Sequence, residues 1–334
     1  GGAGGGWAPQ GPDASLVLES SQVKVMSEIF GEPWADQVSR VRANSVHGET
    51  PGWDLISFIV KSGDDLRQEQ FAMQLIEVFH DIFKSAKTRL WLRPYKIVPT
   101  SSDSGLIEAI PDTVSLNSLR DKFAEMRLPD QSLAAYFRMQ YGAESGLSFK
   151  AAQRNFIESM AGYAVVCYLL QVKDRNDGNL LLTRTGHILH IDYGYMLTNT
   201  PGDMGFEQAP FKLTSEFVDV MGGKDSASFA YFRELLVQGF LEARKPFNCD
   251  RICLLVEMVS NGLGGEVGLP CVASQSTGEI VGQLRGMFML GRSEDEVRDF
   301  VDSLIQQSMD NWYTRQYDNY QILQKTFSGM FGNW

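Results

Sequence analysis

Three oxygen-bearing side chains at fixed spacing constrain this chain more than any other feature. Asp174 is followed five residues later by Asn179, and thirteen residues after that by Asp192, which opens an Asp-Tyr-Gly triplet. Two short apolar runs, residues 180–182 and 187–191, lie between Asn179 and Asp192 and are typical of strands. A tight hairpin of these strands would bring the three side chains together. The alternative is a β-hairpin with solvated acidic turns, which the double spacing and the trailing glycine disfavour.

This spacing is the layout of a kinase catalytic loop followed by a metal-binding loop. In such a site the first Asp orients the attacking hydroxyl, and the Asn and the second Asp face magnesium. The sequence therefore predicts a phosphotransferase that uses ATP and Mg²⁺, with Asn179 and Asp192 as metal ligands. Protein kinases carry His-Arg-Asp in this loop, whereas here Arg175 follows Asp174, which favours a different class of kinase.

The order Asp-Arg-x-x-x-Asn resembles the phosphoinositide-kinase and related-kinase superfamily. Four stretches carry the resemblance further, to the beta branch of the type III phosphatidylinositol 4-kinases: residues 60–69, 153–156, 167–174 and 211–223. The resemblance implies a lipid kinase that transfers the γ-phosphate of MgATP to the 4-hydroxyl of phosphatidylinositol, giving phosphatidylinositol 4-phosphate. It also implies a cytoplasmic protein, peripheral on membranes and expected at the Golgi, with a recruiting small GTPase or adaptor as a partner.

Composition limits the other classes. The net charge of −11 argues against a nucleic-acid partner, which would require a basic face. The longest apolar run, residues 161–170, is short of the ~20 residues that a membrane span needs and predicts a buried helix. The four scattered cysteines predict buried free thiols. Residues 1–14 open with glycines and are interpreted as a linker or expression scar, ahead of the catalytic part of a longer protein.

The fold class expected is α+β, a bilobal protein-kinase-like fold. The small N-lobe, residues 15–111, would hold an antiparallel sheet and one helix. Apolar spacing predicts that helix at residues 64–85. Strands are predicted at one or two places in 15–26, then at 53–61 with apolar residues on both faces, at 90–99 and at 105–110. Residues 30–34 predict a turn; the resemblance places the loop over the ATP phosphates near it, although no G-x-G-x-x-G occurs.

The larger C-lobe, residues 112–334, is expected to be mostly helical. Its predicted features are the catalytic loop at 171–179, the activation segment at 192–214 and an aromatic-rich, membrane-proximal helix at 311–331. Other helices are predicted at 148–172, 214–221, 226–245, 249–260 and 293–308.

The nucleotide site is predicted from one lysine and from the resemblance. Lys61 ends a strand and can reach the ATP phosphates, and Glu69, eight residues on, is expected to pair with it. The resemblance implies that the backbone of Glu108 and Ile110 bonds the adenine. The side chains expected to line the adenine pocket are those of Tyr95, Ile107 and Ile191.

The catalytic loop departs from its family. The usual order is D-R-H-N-G-N, whereas this chain has Asn176 in place of the His that serves related lipid kinases as general base. Asn cannot accept a proton at neutral pH. Base duty could fall on Asp174, on Asp177 or on water, and Arg175 would brace the loop or contact phosphate. The alternatives that stay open are a phosphatidylinositol 3-kinase, a related Ser/Thr protein kinase and an ATP-binding pseudokinase scaffold.

The activation segment is expected to select the lipid. Between Gly194 and Phe211 it has no Lys or Arg, and Lys212 is the only cation near its end. Since an already phosphorylated headgroup needs cations, this pattern favours unphosphorylated phosphatidylinositol. Acidic Asp203 and Glu207 would repel extra phosphate. The apolar side chains expected at the bilayer are Met196, Leu197, Met204 and Phe206.

Overall fold

The computed structural model describes residues 27–127, 130–201, 209–262 and 268–309. The strands are β1 Phe58–Ser62, β2 Ile97–Pro99, β3 Ser104–Glu108, β4 Thr113–Ser115, β5 Leu180–Thr183 and β6 Ile188–His190. The first helices are α1 Trp34–Asn44, α2 Arg67–Ser85, α3 Leu116–Glu125, α4 Leu133–Tyr141 and α5 Leu147–Leu169. The later helices are α6 Ser215–Val220, α7 Ala227–Ala243, α8 Pro246–Gly262, α9 Pro270–Ala273, α10 Thr277–Met287 and α11 Glu294–Ser308.

The N-terminal part is a three-stranded antiparallel sheet with one long helix. The strand order is β1-β3-β2, with Lys61 opposite Gly105 and Ile97 opposite Ile107. The strand predicted at 53–61 is shorter in the structure, because β1 begins at Phe58; all five of its residues are exposed. Within the described ranges β1 is an edge strand, paired with β3.

Helix α2 packs this sheet against the rest of the chain. Its apolar residues recur at helical spacing, and the buried members of that stripe are Phe71, Ala72, Leu75, Ile76, Phe79, Ile82 and Phe83. The helix begins at Arg67 rather than at the predicted residue 64, because Asp64 and Asp65 form the turn that leaves β1. The strand predicted at 90–99 is also shorter than expected, since only Ile97–Pro99 pairs with β3.

A second small sheet carries the catalytic elements. Strands β4, β5 and β6 are antiparallel neighbours in that order, and β5 and β6 form the predicted hairpin. The loop before β5 holds residues 171–179, and Asp192 follows β6 directly. The hairpin therefore returns the chain to its starting point, and the Ile191 amide donates to the Asn179 carbonyl at 3.0 Å.

The remaining chain is mostly helical around α5. This helix is buried along most of its length and packs against α7 and β6, which confirms that the apolar run at 161–170 is a core helix. The four cysteines are free and buried, as predicted. The small sheet with its helix and the helical remainder confirm the α+β, bilobal kinase-like fold class.

Several expectations lie outside the described residues. These are the strands at 15–26, the helix at 311–331, and Asp203, Met204, Phe206 and Glu207 of the activation segment. The lobe boundaries stay predictions. Residues 30–34 do form a turn, which leads into α1.

Candidate active site

One cavity of about 470 Å³ lies between the first sheet, α2 and the second sheet. A volume of this size suits a cofactor. All seven residues predicted to bind nucleotide line this cavity: Lys61, Glu69, Tyr95, Ile107, Glu108, Ile110 and Ile191. The two predicted metal ligands, Asn179 and Asp192, line it as well. None of the described residues of the 30–34 turn lines the cavity, so the expectation of a phosphate loop there finds no support.

Lys61 lies on β1 with its ammonium group at the cavity. Its Nζ is 3.2 Å from Asp64 Oδ2, and both side chains are about half exposed. The predicted direct pair between Lys61 and Glu69 is not formed in the described structure. Asp64 is closer in space because it belongs to the turn that leaves β1, whereas Glu69 lies deeper, on the first turn of α2. An exposed pair of this kind contributes little stability and leaves Lys61 free to exchange partners.

Glu69 has a different partner, Tyr95. The Tyr95 hydroxyl donates to Glu69 Oε1 at 2.6 Å. Burial raises the pKa of the Glu69 carboxyl above its ordinary value, and the hydrogen bond from Tyr95 opposes that rise. Burial also holds the pKa of Tyr95 well above its ordinary value, so the hydroxyl stays protonated as a donor. The two side chains therefore fix each other at the back of the cavity.

The predicted hinge follows β3. The Glu108 amide donates to the Lys96 carbonyl at 2.8 Å, and the Ala109 amide donates to the Ser57 carbonyl at 3.0 Å. The Ile110 carbonyl accepts from Thr113 Oγ1 at 2.7 Å. Among the described residues, the Ile110 amide has no hydrogen-bond acceptor. The hinge therefore offers a base one amide donor, that of Ile110, while Glu108 can offer only its carbonyl.

The catalytic loop is held by its own asparagines. Asp174 has a φ of 61°, and its Oδ1 accepts from Asn176 Nδ2 at 2.8 Å. Asn176 Oδ1 accepts from the Gly178 amide at 2.8 Å. Both polar atoms of the Asn176 amide are thus used to shape the turn. Asn176 is a structural residue here, and Asp174 is the carboxylate that it orients.

Arg175 is buried and braces the metal-binding loop. Its guanidinium donates to the carbonyls of Lys173 at 3.0 Å, of Ile191 at 2.8 Å and of Asp192. It also lies over the ring of Tyr193, 5.2 Å from the ring centre. Of the two roles predicted for Arg175, the structure supports the brace of the loop, because a side chain that is only 1% exposed is not placed to contact phosphate. Its positive charge therefore stabilises the contact between the catalytic loop and the metal-binding loop.

Asp177 is committed to two cations. Lys212 Nζ lies 2.8 Å from Asp177 Oδ1, and Arg120 Nε lies 2.8 Å from Oδ2. Burial would raise the pKa of Asp177, but the charges of Lys212 and Arg120 outweigh it and lower the pKa to about 2. Asp177 is therefore a poor general base, which corrects that alternative. Lys212 is 2% exposed, so it cannot be the headgroup-facing cation of the activation segment.

The activation segment also corrects part of the bilayer expectation. Met196 is fully buried. Leu197 is partly buried and packs against the core. Neither side chain is placed to enter a bilayer.

The two predicted metal ligands, Asn179 and Asp192, carry oxygen donors of the kind that a hard cation takes. Asn179 Nδ2 donates to the Asp174 carbonyl at 2.9 Å and to Asp174 Oδ2 at 3.3 Å, which fixes the amide and leaves its oxygen as a ligand. Asp192 has a φ of 59°, and its Oδ1 accepts from the Gly194 amide at 3.2 Å. Amide and carboxylate oxygens are the donors that Mg²⁺ takes in small number, beside phosphate and water. The described residues contain no cluster of three or more His, Cys, Asp and Glu that could hold a metal ion.

Gln68 was missed by sequence reasoning. This buried side chain on α2 donates to the carbonyls of Tyr193 at 2.9 Å and Gly194 at 2.7 Å, and accepts from the Cys271 amide at 2.9 Å. It ties the N-lobe helix to the metal-binding loop and to α9. Nothing local in the sequence signals this role, because its partners lie more than a hundred residues away.

None of the helices in the described ranges is both long enough and apolar enough to cross a bilayer.

Comparison with known proteins supports the same chemistry. A family model for phosphatidylinositol 3- and 4-kinases matches residues 55–264. A protein named phosphatidylinositol 4-kinase beta 1, from Arabidopsis thaliana, is 48% identical over 313 residues, which cover 92% of this chain and 27% of the relative. A phosphatidylinositol 4-kinase from Dictyostelium discoideum is 47% identical over 298 residues, 89% of this chain and 24% of the relative.

A phosphatidylinositol 4-kinase beta from Xenopus tropicalis is 43% identical over 292 residues, 87% of this chain and 34% of the relative. The chain thus spans about a quarter to a third of the length of these curated relatives. The family model covers well over half of the chain and includes the whole described cavity except Pro270, so the chain belongs to the phosphatidylinositol 3- and 4-kinase family.

Proposed function

We propose that this chain is the catalytic part of a phosphatidylinositol 4-kinase. It transfers the γ-phosphoryl group of ATP to the 4-hydroxyl of phosphatidylinositol and gives phosphatidylinositol 4-phosphate. The observation that carries the proposal is the joint placement of Lys61, Asn179 and Asp192 on one cavity, beside a hinge amide that has no acceptor in the described part of the chain. The regiochemistry is supported by the names of the relatives.

The cavity provides the parts that bind ATP. The Ile110 amide donates to the adenine, and Ile107 and Ile191 pack on its faces. Lys61 exchanges its exposed contact with Asp64 for the ATP phosphates, which are stronger acceptors. Asn179 and Asp192 would hold Mg²⁺, which would neutralise charge on the phosphates.

Asp174 is the acid–base group favoured by the geometry. Asn176 cannot accept a proton, and Asp177 is held as an anion by two cations. Asp174 is then the carboxylate left in the loop, positioned by hydrogen bonds from Asn176 and Asn179. It orients the lipid hydroxyl toward the γ-phosphate and accepts its proton.

The lipid substrate follows from the activation segment. Residues 195–211 contain no Lys or Arg, and Lys212 is occupied by Asp177. An extra headgroup phosphate would find no cation in this segment. The proposed substrate is therefore phosphatidylinositol itself, on a cytoplasmic membrane surface. The Golgi as location, and a small GTPase or adaptor as recruiter, stay predictions from the resemblance.

A second candidate is an ATP-binding pseudokinase scaffold. The observation that favours it is Asn176, which stands where related lipid kinases have their base and is used here to shape the loop. This candidate predicts nucleotide binding without product. The oriented Asp174 carboxylate favours the active enzyme.

The test is product analysis with purified protein. The protein is incubated with γ-labelled ATP, MgCl₂ and vesicles that contain phosphatidylinositol, phosphatidylinositol 4-phosphate and phosphatidylserine. Lipids are separated by thin-layer chromatography, and deacylated headgroups are resolved by position. Asp192→Asn serves as the inactive variant. Asp121→Asn, an exposed residue on α3, is the matched control.

The expected product is labelled phosphatidylinositol 4-phosphate from the native protein and from Asp121→Asn, but not from Asp192→Asn. Label at the 3-position would replace the proposal with a 3-kinase. Nucleotide binding without any labelled lipid would favour the pseudokinase, and label on an added Ser/Thr peptide instead of lipid would indicate a protein kinase.

A further inference from the structure

Four charged side chains connect the catalytic loop to the end of the activation segment. They form a chain of contacts that we name the charge clamp: Lys212, Asp177, Arg120 and Glu216. Lys212 Nζ and Arg120 Nε each lie 2.8 Å from a different oxygen of Asp177. Arg120 then reaches Glu216 through two nitrogens, at 2.6 Å and 3.3 Å. The clamp thus contains two cations and two anions.

The clamp joins three separate segments. Asp177 belongs to the catalytic loop, Arg120 to α3, and Lys212 and Glu216 flank the start of α6 after the activation segment. The Asn117 amide adds a bond to the Asp177 carbonyl at 3.1 Å, which ties α3 to the loop through the backbone as well. The segment end is also held from its other side, where the Phe211 amide donates to Ser308 Oγ at 3.4 Å.

The exposed fraction of the side chains increases along the clamp from Lys212 to Arg120. The side chain of Lys212 is 1% exposed and that of Asp177 is 17% exposed, whereas Arg120 is 42% exposed. A buried ammonium group is costly unless a carboxylate pairs with it, and Asp177 is such a carboxylate. This ion pair therefore couples the position of Lys212 to that of the catalytic loop.

We propose that the charge clamp positions the activation segment for lipid use, with Lys212 as a positioning residue rather than a headgroup contact. The inference rests on the proposed lipid-kinase function and adds a determinant of its acceptor site. The clamp residues do not line the nucleotide cavity. Loss of the clamp should therefore misplace the lipid hydroxyl relative to Asp174 while leaving ATP binding nearly intact.

The experiment compares Lys212→Met, Arg120→Gln and a control, Lys122→Gln. Lys122 lies on the same helix as Arg120, and its ion-pair partner within the described ranges is the exposed Glu125. Since Lys212→Met could unfold the chain, Arg120→Gln, at a more exposed site, keeps the test valid. Three quantities are measured: kcat/KM for phosphatidylinositol in vesicles, KM for ATP, and ATP hydrolysis without lipid. Thermal unfolding curves show whether each variant is folded at the temperature of the assay.

For Arg120→Gln and for folded Lys212→Met, we expect kcat/KM for phosphatidylinositol to fall about 10- to 100-fold, as for a misplaced reactant. KM for ATP should change by less than about twofold, and ATP hydrolysis without lipid should persist. Lys122→Gln should match the native protein. Unchanged lipid kinetics in Arg120→Gln would overturn the inference, as would an equal loss of lipid phosphorylation and of lipid-free ATP hydrolysis.

A second readout separates this inference from the proposed function. Chymotrypsin digestion reports cleavage within residues 195–211 without any need for lipid activity. If the native protein phosphorylates no lipid, the proposed function fails, and the clamp is judged by this digestion alone. Faster cleavage in Arg120→Gln than in Lys122→Gln then supports the clamp, and equal rates refute it.

Discussion

Gln68 offers the sharpest test of how the site is held, because it joins three parts of the chain through one side chain. Replacement by Met keeps the length and most of the volume but removes every hydrogen bond. The Gly194 carbonyl keeps a second donor, Asn199 Nδ2, at 2.8 Å. The Tyr193 carbonyl and the Cys271 amide lose the partner that Gln68 provides. Gln68→Met therefore orphans two buried backbone groups.

The cost can be worked out from those two groups. Each buried polar group left without a partner costs about 1–3 kcal/mol. The expected loss in the free energy of unfolding is thus about 2–5 kcal/mol, allowing for some repacking of the Met side chain. For a chain of this size, about 1 kcal/mol corresponds to roughly 2 °C, so the thermal midpoint should fall by about 4–10 °C. Phosphotransfer activity should fall as well, because Asp192 directly precedes Tyr193, whose carbonyl loses its hydrogen bond from Gln68.

The assay is thermal unfolding of the native protein, Gln68→Met and Gln74→Met. Gln74 is an exposed residue of the same helix, so its substitution controls for side-chain chemistry and helix propensity. Gln74→Met should change the midpoint by no more than about 1 °C, as is usual for exposed sites. Equal midpoints for the two variants would show that Gln68 does not stabilise the joint, and the reasoning from orphaned groups would then be wrong.

Three further predictions concern the loop, the metal and acid stability. Asn176→His should change the rate less than about tenfold, whereas Asp174→Asn should lose on the order of 10²-fold in kcat; activity that arises only in Asn176→His would mean that the native chain is a pseudokinase. Asp192→Asn should raise the MgCl₂ concentration needed for half-maximal binding of ATP, measured by titration without lipid, and an unchanged magnesium dependence would exclude Asp192 as a ligand. Burial lowers the pKa of His187 from 6.5 to about 3, so the folded state stays neutral while the unfolded chain takes up a proton. The free energy of unfolding should therefore fall as the pH drops from about 6.5 toward 3, by up to ~1.4 kcal/mol per pH unit. His187→Phe, which keeps a ring against Trp91, should flatten this dependence. The measurement is the shift in the urea midpoint of unfolding between pH 7 and pH 5, and an equal shift in the native protein and in His187→Phe would contradict the prediction.

Much of the site could be predicted from sequence because its parts are local. The spacing of Asp174, Asn179 and Asp192 needs only a short hairpin to bring them together, and β5 and β6 provide it. The amphipathic stripe of α2 and the strand that carries Lys61 likewise follow from periodicity within one element. For this reason every residue predicted to bind nucleotide or metal lines the same cavity.

The sequence alone does not show which of several oppositely charged side chains pairs with a given residue. Lys61 has Asp64 and Glu69 within a few residues, and only the turn after β1 decides for Asp64. From the sequence Asp177 is a possible general base, whereas in the structure its two carboxylate oxygens pair with Arg120 and Lys212. The exposure of β1 is likewise tertiary information, since apolar composition predicts a strand but not its place at the edge of the described sheet.

The sequence by itself thus determined which residues form the reactive loops, because neighbours along the chain lie on the same turn or hairpin whatever surrounds them. The tertiary structure alone decided what those residues do. Arg175 became a buried brace, Asn176 a turn-forming residue and Gln68 the joint between lobes. The physical reason is that a hydrogen bond or ion pair forms only when its two polar atoms lie within about 3–4 Å of each other. Distances that short between segments as far apart as Gln68 and Cys271 are set by the packing of helices and sheets, which local spacing does not encode.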